Sequence, residues 1–120
     1  MGVFVGNIEK ITNENNFYRK VINTTPEQQL VVMSLRPGTE IGSEIHPNTT
    51  QFIRIESGSG YAMIENKRIG LNPDDVIIIP PGIMHNIIND SLKNDLKLYT
   101  IYSPPEHEDQ LIQRIRPLNH

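Results

Sequence analysis

Short apolar runs alternate with turn-forming residues along most of the chain. The runs are rich in Ile, Val, Tyr and Thr, each is of strand length, and they cover residues 30–35, 51–55, 61–64, 76–79, 86–88 and 96–102. Between them lie segments with Gly, which supplies positive φ, and Pro, which fixes φ, so these segments end the strands. Many short strands separated by turns at steady spacing predict an all-β sandwich or barrel.

The run that begins at Gln51 shows a clear two-residue alternation. Arg54 and Glu56 fall on one face of this strand, so that face is predicted to point to solvent. The opposite face carries Gln51, Ile53 and Ile55, and it is predicted to point into the barrel. A polar amide is thereby predicted to lie inside an apolar interior.

The run at residues 76–79 is apolar on both faces, because it reads Val-Ile-Ile-Ile. A strand of this kind is predicted to be covered on both sides. In a small barrel, the second cover is often another copy of the same chain, so the sequence predicts a homodimer.

The two ends of the chain are less clearly patterned. Residues 106–116 carry an apolar stripe between prolines and acidic residues, which predicts a helix, although a loose tail is the alternative. The first part is interpreted as an extended arm that adds a strand to the barrel or to a partner. We therefore predict one domain over residues 1–120, with a barrel at about 28–103, an arm at 1–27 and a tail or short helix at 104–120.

Composition narrows the functional classes. A length of 120 residues with 37% hydrophobic and 21% charged residues fits one ordinary folded domain. The net charge of -3, with no concentration of Lys or Arg, argues against nucleic-acid binding. The absence of cysteine excludes disulfides and thiol catalysis, and it restricts metal ligands to nitrogen and oxygen. No signal-like start or long apolar run appears, so we predict no membrane association and a cytoplasmic location.

Four polar residues are candidates for a metal site: Glu44, His46, Gln51 and His85. Glu44 and His46 are two residues apart, so they point the same way on an extended chain. Imidazole nitrogen together with carboxylate or amide oxygen suits several divalent cations. The individual signals are weak, because the Glu-x-His spacing is common and a single histidine is more often a satisfied or surface residue than a ligand.

The spacing of the first three candidates is more specific. Gly38 is followed after five residues by Glu44 and His46, after four more by Gln51, and after six more by Gly58. This order resembles the first motif of the cupin superfamily, which has Gly, five residues, His-x-His, three or four residues, Glu, six residues and Gly.

The second cupin motif is nearly complete. It runs Gly, five residues, Pro-x-Gly, two residues, His, three residues and Asn. Asp74 stands at the place of the first Gly, and Pro80, Gly82, His85 and Asn89 follow at the spacing of the motif. Gly82 and Asn89 are interpreted as structural, Gly82 for the tight turn and Asn89 for a bond to its own backbone at the strand end. The resemblance covers about residues 30–102.

The resemblance implies a double-stranded β-helix, or jelly-roll, barrel with a metal inside it. Glu44 replaces the first His of the usual ligand set and Gln51 replaces its Glu, so the set still has one carboxylate and three neutral groups. It implies that Glu44, His46, Gln51 and His85 bind a divalent metal, which can be Mn, Fe, Ni or Zn. The alternative is that Gln51 hydrogen-bonds Glu44 or a histidine in an empty polar cavity.

The resemblance leaves the activity open. The chain is similar to small cupins described as mannose-6-phosphate isomerase-like. This resemblance implies a metal-dependent enzyme, of the isomerase or dioxygenase type, that acts on a small polar or sugar-like substrate. The alternative is a non-catalytic module that binds a small ligand. An isomerase needs a general base, and no catalytic residue is assigned from the sequence.

Three further kinds of residue carry weaker hypotheses. Tyr99 and Tyr102 can present hydroxyls to a substrate, but packing with the hydroxyl at the rim is the preferred interpretation. Arg54 is predicted to point outward. His107 is interpreted as part of a solvated tail, with a lid over the barrel mouth as the alternative.

Overall fold

The computed structural model describes residues 2–118 and consists mostly of antiparallel strands. Its elements, in chain order, are α1 (Ile8–Glu14), β1 (Arg19–Thr24), β2 (Gln29–Leu35), β3 (Thr50–Ser57), β4 (Gly60–Ile64), β5 (Lys67–Leu71), β6 (Val76–Ile79), β7 (His85–Ile88), β8 (Leu96–Ser103) and β9 (Ile112–Gln113). Six strands form one sheet in the order β6-β3-β8-β2-β1-β9, and three form a second in the order β5-β4-β7. Apolar residues of both sheets make one core cluster, so the core lies between them.

All six predicted strands are confirmed, and of the three further strands only β1 falls in a segment predicted to add a strand. The predicted ranges agree with β2, β3, β4, β6, β7 and β8 to within about two residues at either end. The alternation of β3 is confirmed from Gln51 to Ile55, because Gln51, Ile53 and Ile55 are buried and Arg54 points outward to Asp74. Glu56, which was predicted to face solvent, is buried, at the point where the register of β3 shifts. The all-β jelly-roll prediction is therefore correct.

The predicted helix at residues 106–116 is wrong, because this segment forms β9 and a turn. The backbone nitrogens of Tyr18 and Val21 donate to the oxygens of Arg114 and Leu111. These bonds and the β1–β9 pairing occupy backbone groups that a helix would need for its own ladder. The free edge of β1 thus determines the local structure more strongly than the apolar stripe does.

The N-terminal segment contains both a helix and a strand. The helix α1 begins after Asn7, whose side chain accepts a hydrogen bond from the Lys10 nitrogen and so caps the first turn. The strand β1 pairs with β2, which matches the prediction of a strand added to the barrel. The helix was not predicted. No helix within residues 2–118 is long and apolar enough to cross a membrane.

The barrel interior changes from apolar to polar along its strands. Two rows of inward-facing residues cross the neighbouring strands β2, β8 and β3, and every member is buried. The row nearer the start of β8 consists of Met33, Leu98 and Ile55, and the row near its end consists of Gln29, Tyr102 and Gln51. We call these the apolar end and the polar end of the barrel. The candidate ligands lie at the polar end.

The outer face of β6 stays exposed in the single chain. Val76 is 46% exposed and Ile78 is 63% exposed, whereas Ile79 is buried. The prediction that this strand is covered on both sides does not hold within one copy of the chain. Phe52 and Tyr99 stack with ring centroids 6.0 Å apart on the neighbouring strands, so the apolar surface continues across the sheet.

Candidate metal centre

The structure brings three of the four candidate ligands together, and the fourth touches one of them. Glu44, His46 and His85 each offer a ligand atom, and these atoms all lie within 4.8 Å of one another. The Oε1 atom of Gln51 is 2.9 Å from Nε2 of His85. Glu44, His46 and Gln51 lie close together in sequence and His85 is distant, and the four side chains meet at the polar end of the barrel.

Backbone pairing fixes the positions of these segments. Glu44 and His85 form an isolated antiparallel bridge, with the Glu44 nitrogen 2.8 Å from the His85 oxygen and the His85 nitrogen 2.9 Å from the Glu44 oxygen. The Gly82 nitrogen donates to the His46 oxygen at 2.9 Å. Gly82 has φ of 85°, which favours glycine and confirms its assigned role in the turn before His85.

The side chains of His85 and Gln51 turn two hydrogen-bond acceptors toward each other. His85 Nδ1 is 2.8 Å from the Ile83 oxygen, which places the ring proton on Nδ1 and leaves a lone pair on Nε2. The Gln51 amide nitrogen donates to Thr100 Oγ1 at 3.1 Å and to the Tyr102 hydroxyl at 3.3 Å, so its oxygen faces Nε2. The hydroxyls of Thr100 and Tyr102 can donate as well as accept, so the reversed amide, with its nitrogen donating to His85 Nε2, would satisfy the same partners. In the orientation that the structure has, two acceptors face each other, and a bound cation would stabilise that arrangement.

His46 is held by a carboxylate on one side and directed at the site on the other. Its Nδ1 is 3.4 Å from Glu106 Oε2, and its Nε2 is 3.8 Å from Glu44 Oε1. Nε2 is buried and has no hydrogen-bond partner among residues 2–118. A carboxylate on the far nitrogen of a metal-binding histidine fixes its ring orientation and raises its basicity. Glu106 is therefore a supporting residue for this centre.

Burial keeps His85 neutral, which is the form of histidine that binds metals. The pKa of His85 is lowered mainly by burial and further by neighbouring His46, while the bond to the Ile83 oxygen opposes the shift. A lowered pKa means a neutral ring at neutral pH, with a free lone pair for a ligand bond. Tyr102, which is 1% exposed, has its pKa raised by burial, so its hydroxyl stays protonated.

Glu106 and His107 belong to the site although the sequence analysis placed them in a solvated tail. Gln29 holds this segment, because its amide nitrogen donates to the His107 oxygen at 2.8 Å and its amide oxygen accepts from the His107 nitrogen at 3.0 Å. The His107 ring packs against Tyr102 with centroids 5.1 Å apart. The solvated-tail interpretation of His107 is therefore wrong. No local sequence signal identifies these residues, because their position depends on the path of the tail past Gln29.

The remaining candidates lie in different parts of the structure. Tyr102 contributes its hydroxyl to Gln51 deep inside the barrel, rather than at the rim. Tyr99 stacks on Phe52 on the outer face, away from the candidate ligands. Arg54 pairs with Asp74 at 2.8 Å, which confirms its outward direction. Asn89 is fully buried and accepts from the Ser91 nitrogen at 3.0 Å, which confirms its structural role.

The donor set fits a divalent metal. The group contains two imidazoles, one carboxylate and one amide oxygen, with no sulfur, which is the chemistry that Mn, Fe, Ni and Zn accept. The orphaned Nε2 of His46 and the facing acceptors of His85 and Gln51 are the observations that favour this fit. Glu44, His46 and His85 thus form a group that can hold a metal ion.

Comparison with known proteins shows clear relatives. A family model described as "Cupin domain" matches residues 31–102. An uncharacterized protein, L612, of Acanthamoeba polyphaga mimivirus is 46% identical over 96% of this chain and 74% of its own length. The uncharacterized protein YrkC of Bacillus subtilis is 43% identical over 87% of this chain, and the match spans 59% of YrkC.

A solved structure agrees with these sequence relatives. The crystal structure of BH2720 from Bacillus halodurans has a TM-score of 0.89 and 36% identity, and it covers 92% of this chain and 88% of its own. KdgF from a Halomonas species matches with a TM-score of 0.67 and 23% identity over 73% of this chain and 78% of its own, which shows the fold alone. The motif spacing, the barrel and these matches lead to one conclusion. The chain belongs to the cupin family.

Proposed function

We propose that this protein is a metal-dependent enzyme that acts on a small polar substrate at the polar end of its barrel. Glu44, His46, Gln51 and His85 are the proposed ligands of a divalent Mn, Fe, Ni or Zn ion. The observation that carries the proposal is the convergence of Glu44, His46 and His85, whose ligand atoms lie within 4.8 Å of one another, with His46 Nε2 buried and without a hydrogen-bond partner among the described residues. Glu44 supplies the anionic ligand that favours a divalent ion over water.

The surrounding residues prepare the site for chemistry. A metal bound there supplies Lewis acidity to a carbonyl or hydroxyl oxygen. Glu106 orients His46, and Tyr102 with Thr100 orients the Gln51 amide. His46, His85 and Gln51 are all less than 9% exposed, so the chain keeps bulk water away from the reacting groups.

His107 supports an isomerase-type reaction. Such a reaction needs a group that takes up a proton, and the sequence analysis identified none. Burial, and next the charge of Arg19, lower the pKa of His107 to about 4, so its ring is neutral at neutral pH. Its Nε2 is buried and has no hydrogen-bond partner among the described residues. A dioxygenase reaction does not require this group.

A non-catalytic binding module is the second candidate function. The observation that favours it is the attachment of the tail, which Gln29 holds at His107 and which Thr49 holds at Glu106 Oε1 at a distance of 2.7 Å. A segment fastened in this way can enclose a ligand and keep it bound. Turnover is the property that separates the two functions, because a binder retains its ligand unchanged.

The metal assignment is tested first. We expect protein purified without chelator to contain a divalent metal near one equivalent by mass spectrometry. Glu44→Gln should weaken metal affinity about 100-fold or more, since even supporting residues of metal sites contribute about 10–100-fold. Glu27→Gln is the matched control, because Glu27 lies exposed in the turn between β1 and β2. Unchanged metal affinity in Glu44→Gln contradicts the ligand assignment.

Activity is tested on metal-loaded protein. Small sugars and diketones are incubated with the Mn, Fe, Ni and Zn forms, and oxygen consumption and product isomers are both recorded. An isomer formed without oxygen uptake, and lost in His107→Gln with metal content retained, supports the isomerase type. Oxygen uptake that is unaffected by His107→Gln supports the dioxygenase type. Binding without turnover under all conditions identifies the binding module.

The homodimer and the cytoplasmic location stay predictions. The exposed Val76 and Ile78, beside the stacked Phe52 and Tyr99, support pairing of two copies through this outer face. Ile78→Lys is expected to convert a dimer into a monomer in light-scattering measurements. Leu92→Lys, at a more exposed apolar residue outside the strands, is the control, and a monomeric wild-type protein contradicts the prediction.

A further inference from the structure

Unpaired buried polar atoms concentrate around the candidate metal centre. Within residues 2–118, seven buried side-chain nitrogen or oxygen atoms have no hydrogen-bond partner, and five of them belong to Tyr18, Arg19, His46 and His107. Folded proteins pair nearly all buried polar groups, so a local concentration of exceptions requires an explanation. His46 is explained by the proposed metal. The donors of Arg19 and Tyr18 are not.

Among these residues, Arg19 is the one whose burial lowers the stability most, because its side chain is charged. It is the first residue of β1, it is 2% exposed, and only its Nη1 has a partner, Gln113 Oε1 at 2.5 Å. Its Nε and Nη2 are buried without partners, and no carboxylate among the described residues forms an ion pair with it. A buried charge without a counter-ion lowers the free energy of unfolding by roughly several kcal/mol, so it is seldom retained without a role.

The two free nitrogens lie on the same edge of the guanidinium group. Nε–H and the adjacent Nη2–H point in parallel directions, and this edge pairs with both oxygens of a carboxylate. Gln113 holds the remaining nitrogen, and the Tyr18 ring lies 5.0 Å from the guanidinium carbon. These contacts fix the orientation of the group and leave its bidentate edge free. The Tyr18 hydroxyl is also buried, and among the neighbouring charges that of Arg19 acts on it most strongly.

Arg19 is within electrostatic reach of the candidate metal centre. Burial raises the pKa of Tyr102, and the positive charge of Arg19 opposes that effect. Burial lowers the pKa of His107, and the charge of Arg19 adds to that effect. The Tyr102 hydroxyl is 3.3 Å from the Gln51 amide nitrogen, and the Tyr102 ring is 5.8 Å from the His46 ring, centroid to centroid. Tyr102 and His107 thus connect the guanidinium to the proposed ligands.

We propose that Arg19, with the Tyr18 hydroxyl, binds the carboxylate of a small organic acid whose other end meets the candidate metal centre. This proposal deepens the proposed function, because it names the substrate class of the same site. The charges of a divalent metal and Arg19 exceed those of Glu44 and Glu106, so the local balance favours an anion.

The first test compares carboxylates with their uncharged amides. Acetate, glycolate and pyruvate are titrated calorimetrically into metal-loaded and metal-free wild-type protein, beside acetamide, glycolamide and pyruvamide. We expect at least one carboxylate to bind about tenfold or more tightly than its amide, because only the anion pairs with the guanidinium edge. Equal binding of acid and amide overturns the proposal. Tighter binding of inorganic phosphate than of every carboxylate overturns the assigned class.

The second test uses variants of Arg19. Arg19→Met should abolish the preference for acid over amide and should raise the melting temperature of the ligand-free protein, because an uncompensated buried charge is removed. Arg19→Lys should retain part of the preference. Arg36→Met, which changes an exposed arginine, is the matched control and should change neither quantity. An unchanged acid preference in Arg19→Met contradicts the proposal, as does a fall in its melting temperature, which would identify a structural role.

The outcomes separate this proposal from the proposed function. Metal content is measured on every sample. Arg19-dependent carboxylate binding in protein that takes up no metal upholds the carboxylate site and rejects the metal-dependent function. Metal binding without any preference for acid over amide upholds the metal site and rejects the carboxylate site. If neither Arg19 variant folds, the comparison of acids with amides on wild-type protein decides alone.

Discussion

The two ends of the barrel interior differ in how completely their polar groups are paired. At the apolar end, the buried Asn89 side chain makes every bond it needs, donating to the oxygens of Leu35 and Asn94 and accepting from the Ser91 nitrogen. At the polar end, His46 and His107 each keep an unpaired buried nitrogen. The same strands contribute to both ends, so the difference lies in the side chains and not in the backbone.

Because of this difference, we expect the apolar end to contribute mainly to stability and the polar end mainly to function. Packed aliphatic side chains and satisfied amides stabilise the fold at the apolar end, whereas unpaired acceptors at the polar end lower the stability of the ligand-free protein. Natural proteins retain such costs chiefly at functional sites. The comparison therefore predicts that substitutions at the two ends affect different measurements.

The largest expected effect is at the apolar end. Leu98→Ala should lower the free energy of unfolding by about 2–5 kcal/mol, because Leu98 is fully buried between Met33 and Ile55 and its truncation leaves a cavity. Denaturant unfolding measures this loss. Leu118→Ala, at a fully exposed leucine, is the control and should change little. A loss of metal affinity in the folded Leu98→Ala protein would break the separation of the two ends.

Asn89→Ala should have the next largest effect. It removes both bonds to the Leu35 and Asn94 oxygens, and the cost is about 1–3 kcal/mol for leaving buried backbone acceptors unpaired. Thermal unfolding of this variant is compared with that of Asn72→Ala, whose side chain is exposed. Equal stability of the two variants would show that the network around Asn89 contributes nothing.

At the polar end, Glu106→Gln should reduce metal affinity by about 10–100-fold and leave stability in chelator nearly unchanged, because Glu106 acts through His46. Competition with a fluorescent chelator measures the affinity. Glu108→Gln, on the same exposed tail, is the matched control. If both variants bind metal as the wild type does, Glu106 has no supporting role.

A dependence of stability on pH is also expected at the polar end. The folded pKa of His107 is about 4, below its ordinary value of 6.5, so the unfolded chain binds the proton first. The contribution of His107 is complete above about pH 6.5 and is lost as the pH falls toward about 4. Unfolding in chelator should show a fall in stability over this range, smaller in His107→Gln. A slope unaffected by the substitution would contradict the burial of a neutral ring.

Most of the fold follows from the sequence because strand signals are local. The alternation after Gln51 and the Pro80 turn predict their strands without knowledge of any partner. The structure of residues 106–116 was predicted wrongly, because the free edge of β1 recruits this segment and no local pattern encodes that pairing. The helix α1 is seven residues long and lacks a strong apolar stripe, so its Asn7 cap gave too weak a signal.

The candidate site was predictable only in part. The motif spacing identified Glu44, His46, Gln51 and His85, and the structure places them together. Arg19 and Glu106 were not recognised, because each lies in a segment that the sequence describes as an arm or a tail. Their proximity to the site depends on tertiary contacts with Gln113 and His46. Residues that come from outside the motif-bearing strands are the ones that sequence reasoning misses.

The central claim is that a cation lies between the facing acceptors at the polar end. Anomalous diffraction from crystals grown with zinc tests it most directly. The account predicts one strong peak about 2.0–2.2 Å from the carboxylate of Glu44, the Nε2 atoms of His46 and His85, and Oε1 of Gln51. A direct hydrogen bond between His85 and the Gln51 amide nitrogen in a zinc-saturated crystal, with no peak beside them, would contradict it.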